Sequence, residues 1–120
     1  MLAIATILLS ALTAAPPDVT GKWEGRLTAT RSDGSAHEDT VLLILNQKDS
    51  TITGTIGGHE NDQHGITSGT IDGDKVVIVA RHATNGREYR LELKVENEEL
   101  TGTVTAGEQR AEVRTKRRKE

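Results

Sequence analysis

Between residues 87 and 96 the chain alternates without a break. Tyr89, Leu91, Leu93 and Val95 are apolar or aromatic, and Glu88, Arg90, Glu92, Lys94 and Glu96 between them are charged. A period of two sends successive side chains to opposite faces of an extended strand, so one face is buried and the other is wetted. Ile52-Thr53-Gly54-Thr55-Ile56 and Leu100-Thr101-Gly102-Thr103-Val104 repeat a related pattern, an aliphatic face broken by glycine with threonine outside. Turn chemistry separates such runs at Ser32-Asp33-Gly34, Lys48-Asp49-Ser50, residues 57–65, Asp72-Gly73-Asp74, Asn85-Gly86, Asn97-Glu98-Glu99 and Ala106-Gly107-Glu108. Asp-Gly and Asn-Gly tolerate the positive φ of tight hairpin turns, which makes Asp72-Gly73 and Asn85-Gly86 the firmest of these.

These seven turns divide the chain into eight strands, at residues 21–30, 38–47, 51–56, 66–71, 75–82, 87–96, 100–106 and 109–117. No helical period follows Pro17. Short strands joined in sequence by short loops predict an all-β, eight-stranded antiparallel up-and-down barrel, which leaves no open sheet edge. A β-sandwich is the alternative; it needs a long crossover, and residues 57–65 are the one stretch long enough to hint at one. Gly25, Gly54, Gly69 and Gly102 fall inside strands, where glycine suits the sharp coiling of a small barrel.

The chain has 120 residues, enough for one domain. Its first twelve residues are apolar and uncharged, Thr13-Ala14-Ala15 then supplies small side chains, and Pro16-Pro17 stops any helix. The apolar run is shorter than the roughly 18 residues that span a bilayer. The expected organisation is a signal peptide at 1–15, a linker at 16–20, a barrel at 21–117 and a basic tail end at 118–120, with a secreted or periplasmic destination. No Lys or Arg precedes the apolar run, which leaves a retained N-terminal anchor or a misassigned start as alternatives. The formal net charge of −3 lies wholly beyond Pro17 and selects no partner. With Cys 0, the domain holds itself by its core and strand ladders alone.

Thr20-Gly21-Lys22-Trp23, opening the first strand, resembles the Gly-x-Trp start of avidin-type and lipocalin-type barrels. Nearly the whole remaining chain resembles a group of short secreted bacterial β-barrel proteins without an established activity. Those begin Asp-Val-Thr-Gly-x-Trp, as Asp18 to Trp23 do here, and carry a stretch like Asn61-Asp62-Gln63-His64 ahead of Ile66 to Lys75. In avidin and lipocalin barrels a basic residue near the end of the last strand lies over that tryptophan. By strand parity Arg117 shares a face with Ala111, Val113 and Thr115, so the resemblance implies an Arg117–Trp23 closure, with Arg118 as the fallback. Biotin binding is not implied, because avidin-type sites use several tryptophans and this chain has Trp 1.

Candidate chemistry is sparse. His59, Glu60, Asp62 and His64 bear metal-ligating side chains in a glycine-flanked stretch, but their spacing matches neither His-Glu-x-x-His nor a calcium loop. A solvated hairpin loop is the plainer expectation, and no cofactor is expected beyond a possible metal ion there. There is no Gly-x-Ser-x-Gly elbow, so the protein is expected not to be an enzyme. Lys116-Arg117-Arg118-Lys119 is a basic run suited to an acidic polysaccharide or lipid headgroups, or simply to a charged closing strand; without interleaved aromatics it makes a poor nucleic-acid footprint. The expected function is binding a small molecule or cell-envelope component, with Trp23 and Tyr89 as candidate ligand contacts. A filled barrel acting as a structural or protein-interaction module is the competing expectation. With Phe 0 and Tyr 1, any cavity is lined mainly by aliphatic side chains and threonine.

Overall fold

A computed structural model describes residues 17–31 and 33–118. The expected signal peptide, Ser32 of the first turn and the last two residues of the basic tail lie outside the described residues. Eight strands follow one another: β1 (Gly21–Thr30), β2 (Ala36–Lys48), β3 (Thr51–His59), β4 (Asp62–Asp72), β5 (Lys75–Arg81), β6 (Glu88–Glu96), β7 (Glu99–Ala106) and β8 (Gln109–Arg117). Each pairs antiparallel with its sequence neighbour, and β8 pairs with β1, so the sheet is a closed barrel in chain order. Following the register once round from Gly21 returns to β1 about ten residues further along, the stagger that closure of a tilted sheet requires.

The long loop expected at 57–65 is not formed. β3 runs to His59 and β4 starts at Asp62, leaving Glu60-Asn61 as the turn. Gly57 pairs with Gln63, and a Cβ on Gly57 would overlap the Asp62 carbonyl, so the glycine serves close strand approach rather than a break. The register shift beside it is stitched by Gln63, whose Oε1 accepts from Thr55 Oγ1 at 2.6 Å and whose Nε2 donates to the Leu42 and His59 carbonyls at 3.2 and 3.1 Å. Glycine and bulge together bend the wall.

Alternation decides which side chains fill the interior. Leu43 and Leu45 of β2, Ile52 and Ile56 of β3, Val76 and Ile78 of β5, Leu91 and Leu93 of β6, and Val113 of β8 form one buried cluster around Trp23. Thr115 is the buried polar side chain among them, and its hydroxyl donates to the Leu100 carbonyl at 3.0 Å, which removes the cost of an unpaired buried group. Gly102 lies where β7 passes β6 most closely: an added Cβ would overlap the Glu92 carbonyl oxygen and come within 2.8 Å of Leu93 Cα.

One end of the barrel is shut. The Trp23 indole is fully buried, and its Nε1 donates to the Val19 carbonyl at 2.9 Å. Residues 18–20, within the stretch expected as a linker, lie at this end under Arg117, with Val19 between Asp18 and Thr20 fully buried. Gln47 holds them from β2: its Oε1 accepts from Val19 N at 2.9 Å, and its own N–H donates to Thr20 Oγ1 at 3.0 Å. Arg117 lies over the indole with its Cζ 4.4 Å from the ring centroid. Its Nη1 and Nη2 donate to the Thr20 and Asp18 carbonyls, and its Nε donates to Glu98 Oε1, each at 2.7 Å. Hydrogen bonds from Thr20, its backbone N–H first, hold the Asp18 carboxyl below the usual carboxylate range. One guanidinium thus ties the incoming chain, the β6–β7 turn and the ring at the barrel end.

Two stability outcomes follow. Gly102→Ala should lower urea stability by about 2 kcal/mol through overpacking against β6, whereas Gly65→Ala, which meets nothing within 4 Å, should leave it within about 1 kcal/mol of the parent; equal effects would contradict the close approach. Arg117→Met should cost about 2 kcal/mol, from a lost cation–π contact and charged hydrogen bonds, and should alter Trp23 fluorescence in the native state. Arg114→Met, on the outer wall, is the control that should do neither.

Candidate functional site

The other end of the barrel is open. The strands carry small interior residues there, Ala29 on β1, Ala106 on β7 and Ala111 on β8, and these cannot meet across the barrel as the leucines and Trp23 do lower down. What remains is an open cup, the inner part of a cavity of ≈ 1220 Å³ that also extends over the outward-facing Thr28, Arg110 and Glu112. Leu27, Ala29, Tyr89, Val104, Ala106 and Ala111 give it an apolar wall. Leu27, Tyr89 and Val104 are only partly buried although they pack on the core, as expected for side chains facing a cavity. Arg31 and Glu108, one charge of each sign, stand at the rim with His37 and Gln109, and Arg110 and Glu112 flank it on the outer face of β8. His37 is engaged by its neighbours, Nδ1 with Arg31 Nη2 at 3.1 Å and Nε2 with Asp39 at 3.4 Å.

Of the two expected ligand contacts, Tyr89 lines this cup and Trp23 does not. Trp23 sits at the shut end, sealed under Arg117, where no ligand surface remains. Alternation along β6 pointed Tyr89 inward; the sequence held no signal for the cup's depth, which depends on which small residues share a height after closure.

The four expected metal ligands do not gather into one cluster: His59 pairs with Asp62 at the end of the β3–β4 ladder and lies beside Glu60 on the outer wall, away from His64. Glu60, at the β3–β4 turn, reaches back over the outer wall, where its Oε2 accepts from Arg118 at 2.9 Å and from Lys22 at 3.3 Å. Hydrogen bonds from Arg118 and then Lys22 hold its carboxyl below the usual glutamate range. Arg118 also meets Glu24 at 3.3 Å, and this ionic strap lies against Leu42, which is 3% exposed although it points away from the core. Arg117 and Arg118 of the expected basic tail therefore face carboxylates of the same chain.

Asp62 and His64 do meet, at 3.0 Å between Oδ1 and Nε2, inside the wall beside His82. The His64 and His82 rings stack with centroids 4.0 Å apart and planes 26° apart, and His82 lies 6.4 Å from the Tyr89 ring. Backbone N–H groups of the β5–β6 hairpin point at both rings: Ala83 N donates to His64 Nδ1 at 3.1 Å, and Thr84 N and Asn85 N donate to His82 Nδ1 at 3.1 and 3.4 Å. An N–H can donate only to a nitrogen that keeps its lone pair, so the neutral rings carry their protons on Nε2. A metal-bound imidazole has the opposite arrangement, one nitrogen on the metal and the other N–H donated onward. His64 and His82 thus pin the β5–β6 hairpin, and among the described residues no group of three or more His, Cys, Asp or Glu side chains is placed to hold a metal ion.

No protein-family model and no curated protein matches the sequence. Among solved structures, the chain is similar to a mutant of the fluorescent protein UnaG, with a TM-score of 0.52 and 19% identity over 85% of this chain and 97% of that one. At that identity the likeness concerns architecture: the chain is a closed eight-stranded antiparallel barrel, the fold it shares with that protein.

Proposed function

We propose that this protein is an exported, non-enzymatic binding module that carries one small, largely apolar molecule in the open cup. The observation that carries the reading is the asymmetry of the barrel: one end is sealed by Trp23 and Arg117, and the other opens into a cavity of ≈ 1220 Å³, part of it outside the wall, whose inner surface is apolar. A volume of this order exceeds the roughly 300 Å³ at which small-molecule pockets begin, which favours a binder over a filled interaction module. The rim charges balance, so no strongly charged ligand is selected there. The barrel fold supports the reading only as architecture that accommodates an internal site.

Support for export comes from the sequence, whose apolar first twelve residues end in small side chains before Pro16-Pro17. No helix among the described residues is long and apolar enough to cross a membrane.

The binding reading is tested with the neutral fluorescent probe N-phenyl-1-naphthylamine. One saturable site is expected, and Ala29→Trp, which fills the cup from β1, should weaken it more than about tenfold while the far-UV circular dichroism keeps its β form. Equal binding by the variant, or no saturable binding by the parent, refutes a ligand in the cup. For export, the protein expressed with its full N-terminus in a bacterial host should be recovered outside the cytoplasm at an intact mass lacking residues 1–15; a full-length cytoplasmic product refutes that part.

A further inference from the structure

The hydrogen-bond pattern at the mouth fixes what His82 offers. Its Nδ1 is taken by the Thr84 and Asn85 amides, so its Nε2 carries a proton. In an imidazole the two nitrogens lie on opposite sides of Cε1, so Nε2–H points away from the hairpin amides. Strand parity puts the ring on the interior face, because His82 follows the buried Ala80 by two residues and lies between the rings of His64 and Tyr89. His64 uses both nitrogens, on Ala83 N and Asp62. His82 Nε2–H has no acceptor among the described residues, and neither has the hydroxyl of Tyr89. Both donors are open to solvent, since no buried side-chain nitrogen or oxygen among the described residues lacks a partner; Tyr89 lines the cup, and His82 stands beside it with ring centroids 6.4 Å apart.

Resting on the reading of the cup as a binding site, we infer that His82 Nε2–H and the Tyr89 hydroxyl form its polar end and select a neutral, largely apolar molecule that carries a carbonyl oxygen. An sp² oxygen has two lone pairs and receives two donors at once, whereas a hydrocarbon leaves both donors unpaired. Because His82 Nε2 is only a donor, the complementary atom is an acceptor. Both donors belong to uncharged side chains, and the guanidinium of Arg87 nearby is spent on the Ala106 carbonyl and Gln109 Oε1. The charge of a carboxylate therefore meets no dedicated cation beside these two rings. The hairpin amides act as the second layer, holding the His82 ring in the tautomer that donates from Nε2.

The test uses three probes of nearly one shape, 2-acetylnaphthalene, 2-ethylnaphthalene and 2-naphthoate, each titrated as a competitor of the bound fluorescent probe. Tyr89→Phe keeps the ring and removes the hydroxyl. His82→Asn keeps an oxygen that can accept from the Thr84 and Asn85 amides and removes Nε2–H, with the amide chemical shifts of those two residues reporting that the hairpin is intact. Each substitution should weaken the ketone by about five- to tenfold, the scale of one lost hydrogen bond, and should leave the affinity for 2-ethylnaphthalene unchanged. The inference is overturned if the ketone is unaffected, if both neutral probes weaken equally, or if the naphthoate binds more tightly than the ketone. Failure of all three probes to bind overturns the cup reading as well, which separates the two failures.

Discussion

A barrel of eight strands in chain order closes only if its first and last strands, farthest apart in sequence, are brought side by side. The β1–β8 ladder supplies the pairing, from Trp23 opposite Arg117 to Ala29 opposite Ala111. A ladder alone leaves a tube with two open ends, and it is the Arg117 guanidinium on Trp23 that shuts one of them. The same side chain reaches Asp18 and Thr20 before β1 and Glu98 beyond β6, so it fixes two parts of the chain that the β1–β8 ladder does not join. Outside the wall, Arg118 ties Glu24 of β1 to Glu60 of the β3–β4 turn. Consecutive residues of a strand end point to opposite faces, so adjacent arginines brace the closure from within and from without. The inner contact differs from the outer strap in the fully buried ring it covers; both arginines are 27% exposed and their carboxylate partners face solvent, so salt screens the ion pairs of each.

The sequence announced the strands because alternation and turn chemistry are local. The ends of β1 and β8 fell where the pattern placed them, and Asp72-Gly73 and Asn85-Gly86 lie between strands as tight-turn residues should. Residues 57–65 misled because glycine has two uses in β structure. It ends strands, and it lets two strands pass more closely than a Cβ permits. Gly57 does the second, but that is visible only against Asp62 on the neighbouring strand. Val19 was hidden for a related reason. A lone valine after two prolines carries no periodicity, and its burial depends on Gln47 and Arg117, which lie 28 residues from it along the chain in one case and far beyond in the other.

Side chains that neighbour one another in sequence do not form a site on that account. His59, Glu60, Asp62 and His64 are adjacent in the chain, yet a hairpin turn sends Glu60 over the outer wall and keeps Asp62 and His64 on the interior face two residues apart. The backbone amides after β5 then decide the chemistry of the imidazoles, because each amide proton needs a lone pair. Donor geometry thus makes His64, one member of the apparent ligand set, a clamp on the β5–β6 hairpin together with His82, whose second ring nitrogen is left over.

The cup itself follows from where the bulk is spent. A closed barrel has nearly the same width along its length, so the interior fills or empties according to the size of the residues at each height. The large inward residues Trp23, Leu43, Leu45 and Leu100 lie toward the shut end, and the open end is given Ala29, Ala106 and Ala111 instead. With Phe 0, Trp 1 and Tyr 1 in the whole chain, the open end has no second large ring to offset those alanines. Tyr89 covers one wall, and the stacked histidines take up the space beside it. A chain selected only to fill its barrel would place a leucine or phenylalanine at one of the three alanine positions, each about one kcal/mol or more of burial left unused. Vacancy at one end, set against tight closure at the other, is what the fold alone does not require and what a carried ligand would.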